Sequence, residues 1–183
     1  MKTKNAIILH GTGNKPTMYW FPYVARELRQ RGFNVWAPQL PNAAKPNLAD
    51  WLPFVLKQGK FSSETVIIGH SAGSQLILSI LEKIPVTVKQ AILVSGYAKP
   101  LPKTAGHKNG TSRFQWQKIK KRVRDITFIN SDNDPWGYDD KQGRIMFEHL
   151  GGTLIIKHEG HMGSTTYKQP YKKFPLILKL VSD

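Results

Sequence analysis

Six short apolar runs, rich in β-branched residues, alternate along the chain with stretches of helical spacing, and that alternation leaves few folds open. The runs lie at 6–10, 34–38, 65–69, 91–95, 126–130 and 153–157. Their composition reads as buried strands of a parallel sheet. Between most of them the spacing is helical. The stretch 19–31 places Tyr19, Tyr23, Val24 and Leu28 at helical intervals and stops at Gly32. The stretch 48–57 carries Trp51, Leu52, Val55 and Leu56 on one face, and 71–83 carries Leu76, Ile77, Ile80 and Leu81 before Pro85 ends it. Helices over 137–150 and 172–181 complete the set. Strand–helix alternation of this kind calls for a mostly parallel sheet covered on both faces, a doubly wound α/β/α sandwich. No internal repeat or low-complexity linker interrupts it, so the 183 residues read as one α/β domain. A domain of that size buries roughly 70% of its unfolded surface and can rest on an ordinary core.

Composition removes several chemistries. With no cysteine in the sequence, disulfides, Cys-based zinc sites and thiol nucleophiles are excluded. No apolar stretch approaches the roughly 20 residues of a membrane helix. The run 6–9 is too short for a signal-peptide core, so the expectation is a soluble cytoplasmic protein. The formal charge of +15 is unusual. It is concentrated at Lys99, Lys103, Lys108, Arg113, Lys118, Lys120, Lys121, Arg122 and Arg124, with no acid among them. Pro100, Pro102, Gly106 and Gly110 break that run, which reads as a solvated basic loop before it reads as a nucleic-acid surface.

The most informative local pattern is Gly69-His70-Ser71-Ala72-Gly73, a G-x-S-x-G sequence that follows one apolar run and opens a helix. That strand–turn–helix setting is what a nucleophile elbow requires. The turn strains the serine backbone, and side chains at Gly69 and Gly73 would collide with the neighbouring strand and helix. Ser71 then sits at a helix N-terminus, where backbone N–H groups favour developing negative charge, with the N–H of Ala72 as first oxyanion donor. The competing interpretation is an ordinary N-cap serine.

A serine needs a base, and the base an orienting acid. On such a fold the chain order is Ser, then Asp or Glu, then His, on loops at strand ends. After 126–130 comes Ser131-Asp132-Asn133-Asp134-Pro135-Trp136, and after 153–157 comes His158-Glu159-Gly160-His161-Met162-Gly163. Asp134, deeper in its loop and before Pro135, is the better acid. Asp132 is the alternative, with turn formation as its other role. His161, following a glycine, is preferred over His158 at the strand end. The pair lacks the H-E-x-x-H spacing of a zinc helix.

The second oxyanion donor belongs to His10-Gly11-Thr12-Gly13-Asn14, with Thr12 or Gly13 as candidate. Neither phosphate-loop pattern is present there. His10 and His70 are expected to shape the pocket, His107 and His149 to lie on the surface, and Trp20, Trp136 and Met162 either to stand near the pocket rim or to pack in the core.

Together with Ile7-Ile8-Leu9-His10-Gly11, Trp51-Leu52-Pro53-Phe54, Ile92-Leu93-Val94-Ser95 and Phe114-Gln115-Trp116-Gln117, these motifs resemble the small serine hydrolases related to retinoblastoma-binding protein nine, over essentially the whole length. The resemblance implies a compact α/β-hydrolase with a six-stranded parallel sheet and little or no cap. It also implies a triad of Ser71, Asp134 and His161 and carboxylic ester hydrolysis. The namesake's protein-binding segment contains a cysteine, whereas Leu56-Lys57-Gln58-Gly59-Lys60 here has none, so that role does not carry over.

The expected reaction is attack of Ser71 on an ester, thioester or amide carbonyl of a small acyl substrate, with neither metal nor organic cofactor. Without a large cap the acyl pocket should be shallow and favour short groups. Two other readings remain: a non-catalytic binding module on the same fold, and a basic nucleic-acid-associated protein for which the cluster from Lys118 to Arg124, with Phe114 and Trp116 nearby, is the support.

Overall fold

The computed structural model of the chain describes residues 3–99 and 114–182. Its strands are β1 (Asn5–Leu9), β2 (Asn34–Trp36), β3 (Thr65–His70), β4 (Val88–Val94), β5 (Val123–Ser131) and β6 (Thr153–Lys157). They form one sheet in the order β2-β1-β3-β4-β5-β6, and every neighbouring pair is parallel. The helices are α1 (Phe21–Gln30), α2 (Leu48–Gln58), α3 (Ala72–Lys83), α4 (Trp116–Lys120), α5 (Asp140–Leu150) and α6 (Pro175–Leu180).

Each central strand is apolar on both faces because each face meets helices. Ile7 and Leu9 of β1, Ile67 of β3, Leu93 of β4 and Phe128 of β5 pack with residues of α2, α3, α4 and α5. Ala6 and Ile8, Val66 and Ile68, Ile92 and Val94, and Ile129 turn the other way, toward α1 and α6. That period of two is the pleat of the sheet, and the layers make the α/β/α sandwich anticipated above. The edge strands β2 and β6 are less buried. Among the described residues no helix is long and apolar enough to cross a membrane, and none forms a large cap.

The chain leaves β1 for β2 on one side and then returns to place β3 on the other. The loops after β1 and β3 therefore diverge, leaving a crevice at the carboxyl ends of the strands, where ligands bind in open α/β sheets.

Several element boundaries, that of β4 at Val88 rather than residue 91 among them, and one whole element differ from the sequence expectation. Tyr19 has φ +49°, so α1 starts at Phe21, with Pro22 in its first turn. Gly137 has φ +80°, and α5 starts three residues later, where the Asp139 side chain accepts the Lys141 N–H. Strand β5 begins at Val123 rather than Ile126, and α6 opens at Pro175. Helix α4 falls inside the basic stretch read as loop. Ile119 is fully buried beneath it, and Trp116 stacks on exposed His149 at 4.5 Å, so Phe114 and Trp116 belong to the core and its margin. Lys118, Lys120 and Lys121 are exposed, while Lys103, Lys108, Arg113 and His107 lie outside the described residues.

Candidate active site

Ser71 sits between β3 and α3 with φ +54° and ψ −119°, a conformation an L-residue adopts only when its surroundings impose it. Its N–H donates to the Val94 carbonyl at 2.9 Å, stitching the turn to β4. The tightness explains both flanking glycines. A Cβ at Gly69 would stand 2.7 Å from the Gly73 carbonyl oxygen in α3, and one at Gly73 would stand 2.3 Å from that of Leu9 in β1. Ser71 makes no side-chain cap to α3. Instead it lines a cavity of about 280 Å³ together with His161, the loop after β1 and the segments after β4, β5 and β6.

His161 reaches that cavity from the loop after β6. Its Nδ1 is 2.7 Å from Oδ2 of Asp134, whose side chain is wholly shielded from solvent. The other carboxylate oxygen of Asp134 accepts the Trp136 N–H at 2.9 Å, and the Asp134 carbonyl accepts the Gly137 N–H. With Nδ1–H given to the carboxylate, Nε2 is the ring nitrogen left to act as a base. The alternative pair is also formed, but elsewhere. His158 Nδ1 meets Asp132 Oδ1 at 2.7 Å with side-chain exposures of 79% and 51%, out in solvent.

The backbone of His161 is held at both polar groups. Its carbonyl accepts from His70 Nε2 at 2.9 Å and from Ser95 Oγ at 3.0 Å, and its N–H donates to Gln169 Oε1 at 2.9 Å. The next glycine back, Gly160, donates its N–H to Asn133 in the loop that carries Asp134. His70 is fully buried, and burial, assisted by the nearby His161, lowers its pKa to about 3. The ring is therefore neutral, with its proton on Nε2 toward the His161 carbonyl. Burial also lowers the pKa of His10. Its Nδ1 donates to the Gly11 carbonyl and its Nε2 accepts the Leu40 N–H, which ties the loop after β1 to the segment after β2.

In that loop Thr12 and Gly13 both line the cavity. They are not equivalent as donors. The Gly13 N–H is already given to the Ala43 carbonyl, which removes it from candidacy, whereas the Thr12 N–H has no acceptor among the described residues. The Ala72 N–H, first in α3, has no intrahelical acceptor either. Trp136 lines the cavity, but Trp20 and Met162 do not stand at its rim. Both are completely buried, joined by a hydrogen bond from Trp20 Nε1 to the Met162 carbonyl. Proximity in sequence to a loop motif does not say on which side of the sheet a side chain falls. Ser95 closes the Ile92-Leu93-Val94-Ser95 motif, which gave it no role of its own, and Gln169, Tyr97 and Tyr138 belong to no motif. Among the described residues no three His, Asp or Glu side chains converge as ligands for a metal ion.

Comparison with known proteins places the chain in a family. The family model described as serine hydrolase matches residues 6–183. The chain is 33% identical over 167 residues to YdeN of Bacillus subtilis (strain 168), covering 87% of this chain and 86% of that one. It is 31% identical over 164 residues to the serine hydrolase RBBP9 of Rattus norvegicus, covering 87% of each. Superposition on the solved B. subtilis ydeN gene product gives a TM-score of 0.88 at 27% identity over 97% of this chain and 96% of that one. Mouse alpha/beta hydrolase domain-containing protein 10 superposes with a TM-score of 0.68 at 15% identity, over 90% of this chain and 85% of its own, a likeness of fold alone. The match over nearly the full length establishes that the chain belongs to the serine hydrolase family, on an α/β-hydrolase fold.

Proposed function

We propose that this chain hydrolyses carboxylic esters through an acyl-enzyme, with Ser71 as nucleophile, His161 as general base and acid, and Asp134 as the carboxylate that orients the imidazole. The observation that carries this reading is the enclosed Asp134 bonded to His161, which lines the same cavity as Ser71.

In the first step Ser71 Oγ bonds to the carbonyl carbon while its proton passes to His161 Nε2. The carbonyl electron pair moves onto oxygen, which the N–H groups of Ala72 and Thr12 stabilise. Collapse breaks the bond to the alcohol oxygen, and the imidazolium supplies that oxygen's proton. Water then attacks the acyl-enzyme with the same base, releasing the acid and restoring Ser71, so ester and water become acid and alcohol. Asp134 stabilises the transient imidazolium without taking its proton. A fixed donor at an oxyanion is worth roughly 10²–10³ in turnover.

The test is labelling by a fluorophosphonate probe and hydrolysis of ethyl acetate by wild type, Ser71→Ala and His161→Ala. Wild type alone should label, and each variant should lose on the order of 10⁴ or more in turnover. A folded wild type that neither labels nor hydrolyses would put a binding role on the same fold in place of catalysis.

A further inference from the structure

We propose that the cavity over Ser71 selects uncharged esters carrying an aromatic ring. The inference rests on the reading of Ser71 as nucleophile and concerns what the site admits.

The first observation is what lines the cavity. Among its described lining residues there is no Leu, Ile, Val or Met. A site for alkyl chains would present such side chains, which here are spent on the two faces of the sheet. The apolar part of the lining is aromatic instead. Tyr97 and Tyr138 stack with centroids 4.0 Å apart and planes 16° from parallel. The rings of Trp136 and Tyr138 lie 6.3 and 6.2 Å from the ring of His161. A substrate ring finds faces and edges there for offset or edge-on contact, which a saturated ring of the same size cannot exploit equally.

These walls are already set. Trp136 Nε1 donates to Ser164 Oγ at 3.3 Å, and Tyr19 shares a 2.8 Å hydrogen bond with Thr165. Asn130 Nδ2 holds the Tyr138 carbonyl at 3.0 Å. A ligand that fits does not have to order them first.

Charge supplies the second restriction. The sequence holds 27 Lys and Arg and 12 Asp and Glu. None of the described residues lining this cavity is one of them. A charged substituent entering would lose water and meet no counter-ion among the described lining residues. Size supplies the third. About 280 Å³ lies just under the roughly 300–1,000 Å³ of sites for drug-sized ligands, enough for one ring and a short chain.

The ring can belong to the acyl half or to the alcohol half, and matched substrates separate the two. Methyl 3-phenylpropanoate is compared with methyl 3-cyclohexylpropanoate, and benzyl acetate with cyclohexylmethyl acetate, each corrected for its hydroxide-catalysed rate. At least one pair should favour the aromatic member by about tenfold in kcat/KM. Methyl 3-(4-carboxyphenyl)propanoate should fall well below its uncharged parent. Trp136→Leu and Tyr97→Leu, each checked for folding by circular dichroism, should draw the aromatic-to-saturated ratio toward one. That ratio is taken within each enzyme, so a general loss of activity cancels. Ratios near one in both pairs, in a wild type that labels with fluorophosphonate and hydrolyses ethyl acetate, overturn the inference and leave the ester-hydrolase reading intact. So does a ratio unchanged in both folded variants. A wild type that does neither overturns both readings.

Discussion

Asp134 Oδ2 and His161 Nδ1 meet at 2.7 Å with the carboxylate fully enclosed. His158 and Asp132 meet at the same 2.7 Å with both side chains in water. Equal distances here carry different energies. An exposed pair of this kind contributes at most about 1 kcal/mol, whereas the enclosed pair fixes the tautomer of an imidazole that lines the same cavity as Ser71.

Asp134→Asn should accordingly lower kcat by on the order of 10⁴, because an amide in that place no longer fixes the Nδ1–H tautomer. Asp132→Asn should change kcat by no more than a few-fold. Steady-state hydrolysis of ethyl acetate checks both, and equal effects of the two substitutions would sink the assignment of the acid.

Ser95 acts one shell further out. It donates to the His161 carbonyl at 3.0 Å, and Ser95→Ala leaves His70 as that oxygen's remaining side-chain donor. A loss of about 1 kcal/mol in unfolding free energy is expected. A positioning role also predicts a fall of about tenfold in kcat with KM little changed, since small misplacements of a catalytic group act on the chemical step. If denaturation shifts while kcat stays put, Ser95 serves the fold alone.

Buried His70 makes stability depend on pH. Its pKa is about 3 in the folded protein and near 6.5 in an unfolded chain. Between those values the unfolded state binds a proton that the folded state refuses. Stability therefore falls as pH drops below roughly 6.5, by up to about 1.4 kcal/mol per pH unit, and His10, lowered in the same direction, adds to the slope. His70→Gln keeps an N–H donor without the titration. Urea unfolding at pH 7.5, 6 and 5 should show a shallower decline for the variant, and identical slopes would assign the acid sensitivity to other groups.

Gly73→Ala and Gly13→Ala separate collision from backbone strain. A Cβ at Gly73 meets the Leu9 and His10 carbonyl oxygens at 2.3 and 2.6 Å, while one at Gly13 meets nothing within 4 Å but needs φ +69°. The Gly73 variant should lose several kcal/mol of stability, or about 3 at least, together with fluorophosphonate labelling. The Gly13 variant should lose roughly 1–2 kcal/mol. Comparable urea midpoints for the two would contradict the close approach of β1 to the elbow.

Much of this architecture is local enough to be read in one dimension. Strand β6 coincides with the apolar run 153–157, and α2 with the face made by Trp51 and Val55, because a buried strand must be apolar on both sides and a surface helix on one. The elbow is local in part: Gly69 is demanded by Gly73 and Ser74 of its own turn and helix, whereas Gly73 is demanded by Leu9 and His10 of the neighbouring β1. Helix α4 lacked any such mark. It is five residues long in a run of lysines, and Ile119 alone is buried in it, so the packing of its neighbours makes it a helix.

The residue pattern of this chain thus settles its layers, its order of strands and helices, and the place of Ser71, all of which follow from periodicity and short-range sterics. Which of Asp132 and Asp134 meets which of His158 and His161, which amide of Thr12 and Gly13 remains unbonded, and that Tyr97 comes to stack on Tyr138 were decided when β1, β3, β4, β5 and β6 closed into one sheet. Those choices depend on where loops from separate strand ends converge, and convergence across tens of residues of chain leaves no period, cap or motif for a sequence to display.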